Sequence, residues 1–468
     1  MTQATMTIGG EPVPGSAHFD VLNPATEEVY GAAPECSRAE LDRAMDAASA
    51  AFGEWRRDES RRRDLMLQAG AAIKEDADAI AQVLTQEQGK PLSAALGEVR
   101  GTAYWMATTA KLELPVEVVR DDERGRIEVR RRPLGVVGAI TPWNYPVLLA
   151  MWKIAPALLA GNTVVLKPSP FTPLSTLALG ETLRRVLPPG VVNIVSGGNE
   201  LGAWITAHPA VRKVSFTGSV GTGKKVMAAC AEDLKRVTLE LGGNDAAIVL
   251  DDVDPQKIAE DVFWGAFDNS GQVCSAIKRL YVHKDVIEPL SDALSTLARE
   301  TKMGSGLEDG VELGPINNRP QFEKVRGLLD NAKSDGARVL AGGERLGERG
   351  FFVQATVLRD VEESAAIVKE EQFGPVLPIL AFDDIADVVE RANATPFGLS
   401  GSVWSASEER ALEVGGELEC GTVWVNQHLS IPANAPFGGM KHSGLGREHG
   451  HWGLEAYTEP QTVNVSRG

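Results

Sequence analysis

From residue 134 onward, short β-branched runs alternate with helical stretches: LGVVGAI, NTVVLKP, VVNIVSG, KVSFTGS and RVTLELGG. Unbroken apolar runs of this kind are strands buried on both faces, and parallel strands need a crossover helix between them. The pattern confines the chain to the α/β class, with a doubly wound parallel sheet. A second series follows, DAAIVL, KRLYVH, PVLPILAF, SGSVWS and GTVWVN, and predicts a second α/β unit with a boundary near ELGGND. Two units also fit the length, since 468 residues exceed what one core covers.

The first hundred residues read as helical. SRAELDRAMDAASAAFGEW offers Ser37 as N-cap and Glu40 as its capping-box partner, with Leu41, Ala44, Met45, Ala48 and Phe52 on one face. A second helix is expected through RRRDLMLQAGAAIKEDADAIAQVLTQEQG, ending near Gly89. PVEVVRDDERGRIEVRRRP reads as two strands around a polar turn.

Charge narrows the partners. Asp and Glu number 64 against 47 Lys and Arg, a net charge of −17. An acidic surface argues against nucleic acid or an anionic membrane. The most apolar run, YPVLLAMWKIAPALLAG, carries Lys153 and Pro156 in its middle and is too short to span a bilayer. The start has neither a basic nor an apolar leader region, so a cytoplasmic location is expected.

The four cysteines, Cys36, Cys230, Cys274 and Cys420, form no CxxC or CxxH, so neither a disulfide scaffold nor a zinc site is expected. Cys36, Cys230 and Cys420 read as inert small hydrophobes. Cys274 differs, because its neighbours in NSGQVCSAIKR are turn-forming or polar. His449 and His451 in HGHW lack matching ligand spacing and read as surface residues rather than metal ligands.

Three further stretches carry chemistry. KVSFTGSVGTGKKV is a strand, a glycine turn and a helix start, where backbone N–H groups make an anion site. It resembles a P-loop as well, but Lys225 stands where that motif needs Ser or Thr for magnesium. An ATP-hydrolysing P-loop protein is thus an alternative in which the cysteine segment plays no part. Glu240 ends RVTLELGG at the expected boundary, where α/β proteins place ligands. Asn144 lies in ITPWNYP, a turn stiffened by Pro142 and Pro146, and either donates to an oxyanion or caps the turn. Together the set suggests a thiolate attacking a carbonyl, an amide steadying the oxyanion, a carboxylate activating water, and a nucleotide nearby.

NPATEE, TPWNYP, WKIAPALLAGNTVVLKPS, FTGSVGTG, TLELGGN, GQVC, EEQFGPV and PFGGMKHSGLGRE occur in that order, with Glu240 and Cys274 34 residues apart. In these stretches the chain resembles the NAD(P)-dependent aldehyde dehydrogenase superfamily over nearly its whole length. The resemblance implies oxidation of an aldehyde to a carboxylic acid through a cysteine thiohemiacetal and thioester. Cys274 would be the nucleophile, Glu240 the general base for deacylation, and Asn144 with the Cys274 N–H the oxyanion hole. Lys153 and Glu459 would relay protons. NAD or NADP would lie along Ile140, Trp143, Lys167, Ser169, Gly197, Gly218, Ser219, Glu371 and Phe373. Tyr145, Leu149, Trp152, Asp268, Val273, Ser275, Leu429 and Ile431 would line the substrate tunnel. An alternative of a different class is a catalytically inactive relative kept as a scaffold, against which the intact Cys, Glu and Asn argue.

The resemblance also implies an architecture: a Rossmann-type dinucleotide-binding domain over residues 1–112 and 134–241, a catalytic domain over 242–450, and a β arm over 115–133 and 458–468. The arm would join a homodimer or homotetramer. Three positions depart from the common pattern. Pro170 replaces a glutamate that follows the VVLK lysine in many relatives, Asn244 replaces Lys or Ser, and Asp268 replaces a tunnel aromatic. Without the glutamate, both cofactors are expected to serve. Asp268 hints at a polar or cationic substrate group.

Overall fold

The computed structural model describes residues 4–467. Residues 1–3 and 468, at the outer ends of the expected dinucleotide-binding and arm segments, lie outside the described residues. Two sheets dominate. The first has eight strands in the order Gly444–Leu445, Arg236–Glu240, Val211–Thr217, Val136–Ile140, Thr163–Lys167, Val192–Ile194, Met6–Ile8, Glu11–Val13. Its five consecutive strands from Arg236–Glu240 to Val192–Ile194 are parallel. The second has seven, in the order Arg338–Ala341, Thr356–Arg359, Val376–Phe382, Ile277–His283, Asp245–Val249, Ser400–Trp404, Thr422–Val425. Every expected run became a strand. The core strands Val136–Ile140, Thr163–Lys167 and Asp245–Val249 are buried at each position.

Helices cover the first sheet. Arg38–Trp55 starts in the expected capping box, Ser37 accepting from the Glu40 N–H while Glu40 accepts from the Ser37 N–H at 2.8 Å. The next helix departs from expectation. It is two helices, Glu59–Glu75 and Ala77–Gln88, broken at Asp76, whose carboxylate accepts a 2.5 Å bond from Thr182. The second of them ends on Gly89, left-handed at φ +101°. The N-terminal stretch also differs: it is not all helical, because residues 6–35 hold four strands. Met6–Ile8 is buried but only three residues long, and the other three are largely exposed or half-exposed without a long apolar run, so no helical or buried-strand period marks them.

Two segments leave their neighbourhood. Gly125–Pro133 pairs on one side with Glu117–Asp122 and on the other with Thr458–Ser466, a three-stranded arm. The segment Gly444–Leu445, expected within the catalytic unit, instead crosses to the first sheet and pairs with Glu240 and Leu239. Gly444 allows this at φ +157°, for a Cβ there would lie 2.2 Å from the Leu239 carbonyl. Among the described residues, no helix is long and apolar enough to cross a membrane.

Candidate active site

The parallel register builds the site. Ile140 is opposite Lys167 and Phe216, and Thr217 is opposite Glu240. The chain leaves each of these strands at the same carboxyl edge, where open α/β sheets bind ligands. The turn 141–145 follows the first, Lys167 ends the second, Gly218 and Ser219 follow the third, and Glu240 ends the fourth.

Cys274 comes from the other sheet. Helix Pro255–Phe267 ends and the chain passes through Asn269, Ser270 and Gly271, all left-handed, with φ of 49°, 56° and 70°. Consecutive left-handed residues store strain, which persists only where surroundings enforce it. Here Ser270 Oγ donates to the Gly314 carbonyl at 2.7 Å, and Gln272 Oε1 accepts from the Asn317 N–H at 2.8 Å. A Cβ on Gly271 would strike the Gly374 carbonyl at 2.2 Å. Cys274 then sits half-buried before strand Ile277–His283, its carbonyl accepting from Lys278 Nζ at 2.9 Å. Burial pushes its thiol up to about 12; Lys278 opposes the rise, and Glu240, Glu371 and Asp245 add to it. Cys36 and Cys230 are buried as expected, while Cys420 is only half-buried.

One cleft of about 190 Å³ unites both halves of the site, being lined by Trp143, Asn144, Gly218, Ser219, Cys274, Glu371 and Phe373 among others. Trp143 meets Phe373 edge-on at 5.1 Å. Glu371 accepts from the Gly243 N–H at 3.0 Å, and a Cβ on Gly242 would fall 2.3 Å from its Oε2. Ser219 caps helix Val220–Ala231, whose N-terminal N–H groups face this edge. Residues and shape therefore fit a dinucleotide: a helix N-terminus for the pyrophosphate, a carboxylate for a ribose, and an aromatic ring beside the thiol. The P-loop alternative fails here, since Lys224 and Lys225 lie exposed on the helix rather than over the turn.

Lys167 Nζ donates to the carbonyls of Pro168 at 2.7 Å and Gly197 at 3.0 Å, and burial lowers its ammonium to about 8. Pro170 brings no charge to this corner. Glu35 does, its Oε1 accepting from the Gly198 N–H at 3.2 Å. Ser169 Oγ accepts from the Phe171 N–H at 3.2 Å.

Asn144 Nδ2 donates to the Gln272 carbonyl at 2.9 Å, tying the turn to the cysteine segment. The Asn144 carbonyl accepts from Lys90 Nζ at 2.9 Å; Lys90 pairs with Glu98 at 2.7 Å, and Glu98 accepts from the N–H groups of Val147 and Leu148. Pro146–Leu159 is the helix those N–H groups open.

Glu240 is buried, and its Oε1 has no partner. Burial, and then the nearby Glu448 carboxylate, hold its carboxyl well above the usual range, against Lys153 and Arg447. Lys153 pairs with Glu448 at 2.7 Å, both side chains fully enclosed. This corrects the expected relay pair. Glu459 lies 41% exposed on the arm strand, paired with Arg236 and opposite Arg132, away from Lys153. Glu448 is the carboxylate beside Lys153, because the Gly444–Leu445 crossing carries the GRE segment back onto Glu240. Nothing local in the sequence distinguishes the two glutamates.

The expected tunnel residues Tyr145, Leu149, Trp152 and Ile431 gather with Phe437 and Cys274 in one apolar cluster. Val273 is buried, and its carbonyl accepts from Lys278. Ser275 is buried with its carbonyl held by His428 Nε2 at 2.7 Å, while Leu429 is half-buried in a left-handed conformation. Asp268 accepts a 2.5 Å bond from Tyr145 OH, so its charge is engaged by the protein itself. Asn244 sits behind the site, donating to the Val368 carbonyl at 2.7 Å. His449, expected at the surface, is 7% exposed and packs against Trp152.

The profile of the aldehyde dehydrogenase family matches residues 13–463. A phenylacetaldehyde dehydrogenase of Pseudomonas fluorescens is 40% identical, covering 98% of this chain and 95% of its own. A Bacillus cereus aldehyde dehydrogenase solved with NAD+ superposes at a TM-score of 0.97 and 39% identity, covering 100% of this chain and 97% of its own. An NADP-dependent enzyme of E. coli superposes at 0.97 and 38%, with 99% and 98% covered.

Proposed function

Because the chain belongs to the aldehyde dehydrogenase family and oxidises aldehydes with NAD or NADP, we propose how its own residues divide the work. Cys274 Sγ adds to the aldehyde carbon, and the carbonyl oxygen becomes an oxyanion held by Asn144 Nδ2 and the Cys274 N–H. Such preorganised donors are worth most where water is excluded. When bound, the nicotinamide supplies the acceptor for the hydride that leaves that carbon. Gly218 and Ser219 would hold its pyrophosphate, Lys167 and Glu371 its riboses, and Trp143 and Phe373 would flank it, with Ile140, Ser169 and Gly197 completing the cleft. Glu240 then takes a proton from water, which attacks the thioester carbon. The carbon–sulfur bond breaks, the carboxylic acid departs and the Cys274 thiolate, the form that adds to the next aldehyde, is restored. The proton passes from Glu240 toward Glu448 and Lys153.

The observation that carries this reading is the single cleft in which the helix N-terminus, Asn144, Glu371 and Cys274 meet. The test is rapid mixing of Glu240→Gln with aldehyde and cofactor. A burst of reduced cofactor followed by slow turnover supports the division. Loss of the burst would move Glu240 to thiol activation.

The protein is further proposed to be a cytoplasmic homodimer or homotetramer, with residues 1–112 and 134–241 as the dinucleotide-binding domain, 242–450 as the catalytic domain and the arm over 115–133 and 458–468 as an interface. The outer arm strand Glu117–Asp122 supports the last, since Val118 and Val119 on it are 47% and 59% exposed beside an unpaired edge. Sedimentation of the intact chain against one lacking 115–133 tests it.

A further inference from the structure

Lys278 is a buried ammonium lodged against the turn that carries Cys274. It is 2% exposed and donates to three carbonyls of that turn, Val273 at 2.6 Å, Cys274 at 2.9 Å and Ala276 at 3.4 Å. An ammonium has three donors, so all are used. Among the described residues no carboxylate pairs with it, whereas the buried Lys90 and Lys153 are each bonded to a glutamate. A buried charge without a bonded counter-charge is costly, and its field is not cancelled on the spot. The strand register aims it. Asp245 is opposite Ile277 and Ala246 opposite Arg279, so the pairing skips Lys278. Bulges of this kind re-aim a side chain and gather next to active sites.

The Val273 carbonyl and the Cys274 N–H are the two ends of one planar trans peptide, so they point in opposite directions. Fixing that carbonyl on the ammonium fixes the heading of the N–H. Among the described residues this N–H donates to no backbone carbonyl, and Cys274 lines the cleft. A charged donor on the carbonyl also polarises the peptide and strengthens the N–H at its far end. The same charge reaches the sulfur. Of the charges that face Cys274, Lys278 favours the thiolate, while Glu240, Glu371 and Asp245 oppose it. The Tyr145 phenol faces the sulfur as well. His428, on the Ser275 carbonyl, is kept neutral by burial.

Resting on the reading of Cys274 as the nucleophile, we propose that Lys278 is a positioning residue for the first step. Through the Val273 carbonyl it aims and polarises the Cys274 N–H toward the aldehyde oxygen. Its charge steadies both anions of that step, the attacking sulfur and the oxygen that becomes an oxyanion. Lys278 touches neither anion; it acts through the 273–274 peptide and through its field.

Alkylation of Cys274 in the intact chain, read by mass spectrometry, tests the charge without requiring turnover. Iodoacetamide and iodoacetate are alike in size and both react with the thiolate. The ratio of their rates therefore cancels access and ionisation and reports the charge near the sulfur. At pH 8, Lys278→Met and Lys278→Gln should react with iodoacetamide about tenfold or more slowly than the wild type, the change that one pH unit makes in thiolate. They should lose still more with the anionic iodoacetate. Gln keeps donors for the carbonyls without the charge, so the test stands should Met fail to fold. Lys278→Arg should stay near the wild type with both reagents. In rapid mixing with propanal and NAD, the burst of reduced cofactor should slow by about a hundredfold or more in the neutral variants, since sulfur and oxyanion both lose support. KM for NAD should hold. A wild type without a burst would count against the assigned role of Cys274, and the alkylation rates would still decide Lys278. A neutral variant that unfolds near the wild-type temperature and keeps both alkylation rates, or loses both by the same factor, overturns the proposal.

Discussion

Two buried lysine–glutamate pairs flank the catalytic turn, and they are built to opposite standards. Lys90 and Glu98 sit 2.7 Å apart with their remaining capacity used: Lys90 also donates to the Asn144 carbonyl, and Glu98 caps two helix N–H groups. Lys153 and Glu448 sit at the same distance, yet Glu448 Oε2 has no partner and faces Glu240, whose Oε1 has none either. Satisfied networks rigidify, while unmet buried groups cost free energy and mark places kept for function. The first pair is a fixture that holds the turn. The second leaves one oxygen of Glu448 and one of Glu240 unmet, on the side where we propose that the proton leaves.

Removing the reacting atom gives the largest effect and sharpens the contrast. Cys274→Ala should lower kcat/KM by about 10⁴-fold or more, as loss of a nucleophile does. Its thermal unfolding should match the wild type, because neither pair is touched. Cys36→Ala and Cys230→Ala should keep activity. Comparable activity in Cys274→Ala would end the covalent mechanism.

Glu240→Gln comes next. Loss of a general base costs about 10²–10⁴-fold in steady-state kcat. The carboxyl of Glu240 is raised in the folded chain, so folding favours its protonated form. That contribution is whole below the unfolded value near 4.3 and is lost as pH rises through the folded value. Glu240→Gln should therefore unfold at a higher temperature than the wild type, by a margin that grows with pH. A margin that shrinks with pH would mean Glu240 is ionised and paired, and the contrast between the two sites would collapse.

The lysines break the comparison directly. Lys90→Met leaves Glu98 buried without its cation and should cost about 3–5 kcal/mol of stability in a denaturant titration. It should lower kcat without moving the pH at which kcat rises. Lys153→Met removes the charge that holds Glu240 down, so the rise in kcat should move to higher pH. Were the shift to appear in Lys90→Met instead, the roles assigned to the two pairs would be exchanged.

Legibility followed the same divide. The doubly wound sheet could be read because parallel strands buried on both faces leave unbroken apolar runs, and their ends marked Asn144, Gly218 and Glu240, while Lys167 followed only from the resemblance. Four N-terminal strands escaped: Met6–Ile8 is buried but only three residues long, and the other three carry no continuous apolar run. The strands Arg338–Ala341 and Thr356–Arg359 escaped for want of the longer runs their partners have. That Glu448 rather than Glu459 lies beside Lys153 could not be read, because it rests on the pairing of Gly444 with Glu240, 444 − 240 = 204 positions apart, that no local period records. The burial of His449 could not be read because it is made by Trp105 and Trp152, which come from distant segments. Satisfied scaffolding such as Lys90 and Glu98 left no trace at all, since ordinary surface charges look the same in sequence.

The smallest effect concerns a third buried lysine. Lys167 is met by two carbonyls rather than by a bonded carboxylate, so its charge stays available to a ribose or its phosphate. At an effective dielectric of about 20, unit charges 4 Å apart interact by about 4 kcal/mol, enough for one carboxylate to set cofactor choice. Pro170 supplies none. Glu35 supplies one nearby, but it is tied to the Gly198 N–H, which offsets part of its field. Weak repulsion beside a retained cation gives weak discrimination. NAD and NADP should thus serve with kcat/KM within about two orders of magnitude, a gap of about 2.7 kcal/mol. Pro170→Glu should move the balance toward NAD, adding to this lysine the partner that Lys90 and Lys153 already have. Glu35→Gln should move it toward NADP by less, because its hydrogen bond to Gly198 survives. A wild type that favours NAD by far more than a hundredfold, with Glu35→Gln removing that preference, would make Glu35 the discriminating carboxylate and Pro170 irrelevant.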